Sequence, residues 1–493
     1  MDFKGFEVIY NQNRVNIKDK KKLKSELVKI LGKDNVSTEA IDLFAYTKDA
    51  TLIGHNWTLE GKIAALPDFI TWPETKEQIS KILILANREK VPVIPYGEGS
   101  GVVGGAIPIR GGIIIDMKKF NKIIDINDID LTVTVETGTN GMNLERYLNA
   151  KGYTSGHIPQ SLYTSSVGGW IAHRAAGQFS TKYGKIEDII LGMEIVLPNG
   201  DIIDFKPIVR ASTGPQLNKL FIGNEGTLGI VTKTTLKIWP TPEKRALISY
   251  AFPTFEDSLE AVRQILREQI NPAVIRIYDV DETLRHFSEI EKTKDKIMVI
   301  FMCEGVERLV DLEEMITREK CENNSGIDCG EHPVEHWFET RFRVTETSSS
   351  PPNKITVDTI EVAVSWENTA KLYHNVVETV KSKLKGVLLI TAHISHFYPN
   401  GVGMYFSFAG VETGEQTNFD FYQQVWNTTM KIVLEVGGSI AHHHGIGINR
   451  SYWMDSEWGK SMEVLRQVKK LLDPNNVLNP GKVYESSWKG GDS

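Results

Sequence analysis

The spacing of apolar positions changes along the chain, and the changes divide it. Between about Ala65 and Trp239 there are short runs rich in Val, Ile and Thr, at residues 91–96 (VPVIPY), 111–117 (GGIIIDM), 131–138 (LTVTVETG), 194–200 (EIVLPNG) and 229–239 (GIVTKTTLKIW). Glycine turns separate them, which is the pattern of strands. Residues 75–87 carry helical spacing instead. Two prolines in three residues, Pro240 and Pro242, stop both helix and central strand and predict a hinge. Beyond it, residues 251–269 (AFPTFEDSLEAVRQILREQ) predict a strand followed by an amphipathic helix, and this alternation continues to about Phe408. Residues 321–352 turn polar and are punctuated by Gly and Pro, which predicts exposed loops, one of them lying over a site. From about Phe419 two helical stretches lead to a turn-rich end. The expected class is α+β, with a first domain over 1–240 (core 65–240), a second over 241–418 and a closing segment over 419–493.

Composition narrows the function. A chain of 493 residues, 41% hydrophobic, exceeds one core and suits two domains of ordinary size. Against 63 Asp and Glu there are 56 Lys and Arg, a net charge of −7 without a basic block, so nucleic acid is excluded as a partner. Three cysteines (Cys303, Cys321, Cys329) form no CxxC pair and no disulfide framework, which fits a reducing, cytoplasmic setting. The first residues lack the apolar core of a signal peptide, and no window approaches the roughly eighteen apolar residues of a membrane span, leaving only peripheral membrane contact open.

Three segments are rich in glycine and small residues. The first follows the strand VPVI: Pro95, Tyr96, Gly97, Glu98, Gly99, Ser100 and Gly101, continuing to Gly105. It matches neither the P-loop nor the GxGxxG fingerprint, so ATP hydrolysis and a Rossmann site are disfavoured. The second contains Pro159, Ser161, Thr164, Ser165, Ser166, Gly168 and Gly169 and runs on to His173. The third contains Glu225, Gly226, Gly229 and Ile230. Glycine-rich backbone lets N–H groups converge on an anion.

Together, and in this order, the three segments resemble the FAD-binding domain of the vanillyl-alcohol oxidase, or PCMH-type, flavoproteins. The ending Asn479-Pro480-Gly481-Lys482 is similar to that of the FAD-linked oxidase C-terminal branch. The resemblance implies that the first loop wraps the pyrophosphate and that the later loops, with Asn479, line the rest of the flavin, with an antiparallel-sheet cap domain beside it. It assigns no histidine or cysteine as a tether, so the FAD is expected to be non-covalent, and a homodimer is expected.

Near the C-terminus, His442, His443 and His444 bring together three of the twelve histidines, followed by Gly445 and Gly447. Imidazole suits proton transfer near neutral pH and is also a common metal ligand. Within the superfamily, this cluster, the segments 156–162, 164–170, 212–215 and 275–279, and Tyr405 are similar to the alkyldihydroxyacetonephosphate synthases. That resemblance implies an active site of His157, Ser166, Arg276, Tyr405 and His443. The chain departs from it at His393, where the synthases carry arginine, and before DTIEVAVSW, where residues 348–352 stand in place of another arginine. Guanidinium groups are what a substrate phosphate calls for. The histidine instead resembles the D-lactate, D-2-hydroxyglutarate and glycolate dehydrogenases. His393, His396 and His443 could hold zinc, but the expectation is a site without metal, His393 lying in a strand and His396 in a loop.

The resulting expectation is oxidation of a D-2-hydroxy acid such as D-lactate. His443 or His444 takes the hydroxyl proton, Tyr405 hydrogen-bonds the substrate, and Arg276 holds its carboxylate, with Arg341 or Arg343 in reserve. His442 and His393 complete the catalytic set. With no nicotinamide fingerprint and no cysteine cluster for iron and sulfur, electrons are expected to leave to a quinone or a partner protein. The alternative is an ether-forming transferase on a lipid-like substrate, with FAD as a covalent scaffold and no net oxidation.

Overall fold

A computed structural model describes residues 7–343, 355–414 and 416–485. Its first part is built on two larger sheets, beside short two-stranded pairings. Val36–Ser37 (β1), Phe69–Thr71 (β2), Val93–Tyr96 (β3) and Ile113–Asp116 (β4) form a four-stranded sheet in the order β1-β2-β4-β3, parallel except at β1. Ile123–Asn127 (β5), Thr132–Glu136 (β6), Ile190–Val196 (β7), Ile202–Phe205 (β8) and Ile230–Lys237 (β9) form an antiparallel sheet in the order β8-β7-β9-β6-β5. The expected helix runs Lys76–Glu89. Thr75 and Gln78 close its start as a reciprocal capping box, and Ile79, Ile82, Leu83 and Ala86 make its buried face.

The second part is one seven-stranded antiparallel sheet. Its strands are Lys244–Phe252 (β10), Val274–Tyr278 (β11), Ile297–Gly305 (β12), Ile327–Asp328 (β13), Ile355–Ser365 (β14), Val387–Tyr398 (β15) and Gly401–Val411 (β16), in the order β13-β10-β12-β11-β15-β16-β14. The predicted amphipathic helix, Phe255–Arg267, starts at Thr254, whose hydroxyl accepts the Asp257 N–H at 3.1 Å. Along β16 the period of two drives Met404, Phe406 and Phe408 into the core, where Phe408 meets Phe421 of the helix Asn418–Glu435 at 6.0 Å between rings. Gly403, Tyr405 and Ser407 are left on the opposite face.

One expectation is corrected. Residues 321–343 are largely ordered elements rather than loops: the helix Glu307–Asn323 passes through Cys321, and His332–Thr340 is another helix. Val334 and Trp337 of the latter are buried, so apolar spacing outweighs the polar punctuation. The segment 348–352 lies outside the described residues. Near the hinge prolines, Trp239–Pro240 pairs with Tyr153–Thr154, and the Thr241 N–H reaches the Gly152 carbonyl at 2.9 Å, which ties that turn to the first part.

The C-terminal end returns to the first part. The Val93 N–H donates to the Val477 carbonyl at 2.7 Å, and the Asn479 N–H to the Val93 carbonyl at 2.8 Å, so residues 477–479 extend the exposed edge of β3. No helix among the described residues is long and apolar enough to cross a membrane.

Candidate active site and flavin cradle

The row that builds the site crosses four strands. Glu361 on β14 stands opposite Tyr405 on β16, Tyr405 opposite His393 on β15, and His393 opposite Tyr278 on β11. Side chains directly opposite share a face, so register alone lines these four up. Tyr405 and His393 stack with ring centroids 4.6 Å apart. Arg276, two residues before Tyr278 on the same face, donates its Nε–H to the Tyr278 hydroxyl at 2.7 Å. A register shift between Ile394 and His396 lets a second histidine of β15 reach the site, so His396 is a strand residue and not the loop residue expected.

The three consecutive histidines lie in the turn beyond Ile440, and what holds that turn is Glu361. Its carboxylate accepts the backbone N–H groups of His442 (2.6 Å), His443 (3.2 Å) and His444 (2.9 Å). It also accepts a 2.6 Å bond from Arg450, and both side chains of this ion pair are 0% exposed. Burial pushes the Glu361 pKa up, but Arg450, His444 and the backbone donors outweigh it and hold the carboxylate below its usual range. Lys185 adds a 2.6 Å bond to the His442 carbonyl. Neither Glu361 nor Arg450 was picked out from sequence. The signal was there in a lone glutamate inside the β-rich run ITVDTIEVAVS, since a carboxylate buried in a strand requires a partner.

Within the turn, the Tyr405 hydroxyl and His443 Nε2 are 2.7 Å apart. His443 Nδ1 and His442 Nδ1 are 2.8 Å apart, and His442 Nε2 is 2.9 Å from the Tyr398 hydroxyl. Burial, followed by neighbouring positive groups, pushes the pKa values of His442 and His443 well below the ordinary histidine value, and burial takes that of His444 down to about 4. These rings are neutral near pH 7, each with one N–H and one accepting nitrogen. Arg276 acts on the neighbouring groups: it lowers the His393 and His396 pKa values further after burial, while at Tyr405 burial and then Glu361 raise the pKa and Arg276 only opposes them. His444 presents its edge to Tyr405 at 5.9 Å between centroids.

Other expected residues fall elsewhere. His157 is buried against Trp170, 4.7 Å between centroids, outside the Tyr405–His443 pair. Arg341 packs over the Phe338 and Phe342 rings, and Arg343 is exposed. Of the zinc set, His396 and His443 do come together, but among the described residues the third member of the cluster is His442, not His393. His393 is instead consumed by its stack on Tyr405.

The three small-residue segments converge with the C-terminal turn. Ser166 caps the helix Val167–His173 by accepting the Gly169 N–H at 3.3 Å, and lies so close to Gly97 that a Cβ there would overlap its hydroxyl. At Gly105 a Cβ would lie 2.9 Å from His173 Nε2 and 3.2 Å from Glu225 Oε2, so only glycine passes between them. Glu225 accepts the N–H groups of Ile446 (2.5 Å) and Gly447 (2.8 Å), and Asn479 donates to the Gly105 and Glu225 carbonyls, each at 2.8 Å. One carboxylate thus joins the third segment to the histidine turn. Thr164 is exposed in the turn before Ser165, and Gly229 directly precedes β9, which Ile230 begins. Pro159 and Ser161 belong to that same turn, and Tyr96 packs beneath Gly99.

This cradle fits a dinucleotide. His173 Nδ1 donates to the Gly169 carbonyl at 3.1 Å, and its Nε2 is buried with no hydrogen-bond partner among the described residues, directed at Gly101 and Gly105, so a polar atom of the cradle is left for a ligand to satisfy. Lys482, also buried, reaches the Ile107 carbonyl at 2.7 Å, and burial lowers its pKa to about 7 against the pull of Asp49 and Glu225. Glycines and N–H groups of residues 97–105, Ser166, His173 and Asn479 are the groups that would hold the flavin. When bound, FAD supplies a two-electron acceptor.

A two-part chain with a glycine-lined dinucleotide cradle and a histidine-rich sheet face defines a flavoprotein of the PCMH-type fold. Comparison with known proteins agrees. The FAD binding domain family matches residues 67–206, and the C-terminal domain of FAD linked oxidases matches residues 241–483. Alkyldihydroxyacetonephosphate synthase of Dictyostelium discoideum is 30% identical over 454 residues, 86% of this chain and 74% of that protein. An uncharacterized FAD-linked oxidoreductase of Escherichia coli is 30% identical over 495 residues, covering 93% and 97%. The mitochondrial D-lactate dehydrogenase (cytochrome) of Arabidopsis thaliana is 26% identical over 471 residues, covering 94% and 80%. A solved alkyldihydroxyacetonephosphate synthase superposes with TM-score 0.80 at 26% identity over 97% of this chain and 88% of that one. p-Cresol methylhydroxylase, at 17% identity and TM-score 0.70 over 94% and 96%, shares the fold. The chain belongs to the FAD-linked oxidase family and binds FAD.

Proposed function

We propose that this flavoprotein oxidises a D-2-hydroxy acid, D-lactate being the simplest, and passes the electrons to a quinone or a partner protein. The observation that supports this best is the Tyr405–His443 pair, 2.7 Å apart, with Arg276 on the same sheet face. A neutral imidazole bonded to a phenol can take a hydroxyl proton, and a guanidinium can hold a carboxylate. In this reading the substrate carboxylate binds Arg276, the hydroxyl meets Tyr405, and His443 receives the proton through it. His444 orients the Tyr405 ring by its edge contact. His393, stacked on Tyr405, keeps that face of the pocket dry and uncharged.

A second reading has its own support: the likeness to alkyldihydroxyacetonephosphate synthases together with Tyr405 and the histidine turn, which favour ether-bond formation without net oxidation. His393, standing where the resemblance to those enzymes implies an arginine, leaves the site one guanidinium short for a phosphate and favours the smaller anionic group of a hydroxy acid. One experiment separates the two. The yellow holoprotein is mixed anaerobically with D-lactate, L-lactate and longer D-2-hydroxy acids while the oxidised-flavin band is followed. Bleaching by a D-enantiomer supports the oxidation. Absence of bleaching with every acid sinks it, and exchange of a fatty alcohol into an acylated phosphate ester then tests the transferase.

A further inference from the structure

Beyond the pair itself, four groups form one uninterrupted chain: the Tyr405 hydroxyl, His443 (Nε2 at 2.7 Å), His442 (Nδ1 to Nδ1 at 2.8 Å) and the Tyr398 hydroxyl (2.9 Å from Nε2). Each imidazole uses both nitrogens. A neutral imidazole has one N–H and one bare nitrogen, so the contact between the two Nδ1 atoms forces the rings into opposite tautomers. If His443 donates at Nδ1, its Nε2 must accept from Tyr405, and His442, accepting at Nδ1, must donate from Nε2 to Tyr398. If His442 donates instead, every bond reverses. In both cases the chain has a single direction from end to end, which is the arrangement that conducts a proton.

The surroundings fix this geometry. Glu361 pins the N–H groups of both histidines, Lys185 pins the His442 carbonyl, and Gly403 leaves space, since a Cβ there would lie 3.0 Å from His442 Nδ1. His443 is buried, while Tyr405 at one end and Tyr398 at the other are each half-buried. Tyr398 is the end nearest the acidic groups Glu187 and Asp188, which raise its pKa further after burial and after the opposing Ser180 hydrogen bond; Asp188 is exposed.

We propose that Tyr405, His443, His442 and Tyr398 are a proton relay that carries the substrate hydroxyl proton away from the site, with His442 and Tyr398 acting through His443. This rests on the hydroxy-acid reading of the site. The balance is simple. Oxidation of the alcohol to the ketone releases a hydride equivalent, taken by the flavin, and one proton. That proton goes to the Tyr405 oxygen as Tyr405 gives its own to His443 Nε2. His443 passes its Nδ1 proton to His442 Nδ1, His442 passes its Nε2 proton to Tyr398, and Tyr398 releases its phenolic proton to water. Four groups end neutral, with the chain in its opposite direction.

A different use of the same rings is a bound cation, because ring nitrogens of His396, His442 and His443 lie within 4.8 Å of one another. A cation would displace the proton shared by the two Nδ1 atoms, so the two uses exclude each other. The holoprotein labelled with 15N-histidine decides between them by NMR. Opposite neutral tautomers at His442 and His443, with a strongly deshielded bridging proton that disappears in His442→Gln, are expected. Identical tautomers, or a stoichiometric metal lost in His396→Ala, would overturn the relay. The kinetic arm uses Tyr398→Phe, which keeps FAD and substrate affinity. Flavin bleaching slows by about tenfold or more with an increased solvent deuterium isotope effect. An unchanged rate and isotope effect would equally overturn it. If the unaltered protein is bleached by no 2-hydroxy acid, the hydroxy-acid reading fails, and the tautomer measurement alone decides whether the relay exists.

Discussion

Tyr405 and Glu361 face each other across β14 and β16 but act at different distances from the chemistry. Tyr405 touches the position assigned to the substrate, so Tyr405→Phe removes a proton-transfer partner while leaving the ring and its stack on His393. Flavin reduction by the acid is expected to slow by roughly 10²–10⁴-fold with FAD content unchanged, checked by anaerobic stopped flow. A loss below threefold would take Tyr405 out of the mechanism. Glu361 touches no substrate. Glu361→Gln leaves Arg450 as an unpaired buried charge, which costs about 3–5 kcal/mol, read as a lower denaturant midpoint. The turn carrying three histidines loses part of its anchorage at the same time. The two substitutions therefore separate by assay: one moves rate, the other moves stability first.

At the scale of elements, the loop at 97–105 and the turn at 445–447 are each too short to hold a dinucleotide alone, and Glu225 and Asn479 join them. Gly105→Ala should therefore act locally, pressing a methyl group between His173 and Glu225. The expectation is a dissociation constant for FAD raised by about tenfold or more, measured by flavin fluorescence, with an unchanged far-UV spectrum, since backbone approach at such loops tolerates no Cβ. Unaltered FAD affinity would show that the loop does not meet the cofactor. The register shift after Ile394 is a second device at this scale. It turns His396 toward the cluster, which strict alternation with His393 would forbid.

The whole molecule carries a set of buried imidazoles, and they make its stability depend on pH. Burial lowers the pKa values of His157 and His393 to about 3 and that of His444 to about 4, from an ordinary 6.5. The folded state therefore binds fewer protons than the unfolded chain between about pH 6.5 and 3. Stability is full above 6.5 and is lost as pH falls through that window. Thermal midpoints of the holoprotein should fall steadily below pH 6.5, and a flat profile down to pH 4 would contradict the burial of these rings. Much of this molecule was legible in sequence. Period-two runs gave the strands, helical spacing over 75–87 gave the helix Lys76–Glu89, and the order of the glycine segments gave the cofactor, because these features depend on residues near one another in the chain. The helix His332–Thr340 was hidden by polar punctuation that local burial overrides. By itself the sequence determined which chemical groups exist, namely glycines for a cradle and imidazoles and phenols for proton transfer. Only the tertiary structure decided which of them meet: that His442 rather than His393 joins His396 and His443, and that Glu361 and Arg450 carry the turn. Those partners lie between 81 and 89 residues apart from Glu361 along the chain, and sheet register and buried charge pairing, not local spacing, bring them within bonding distance.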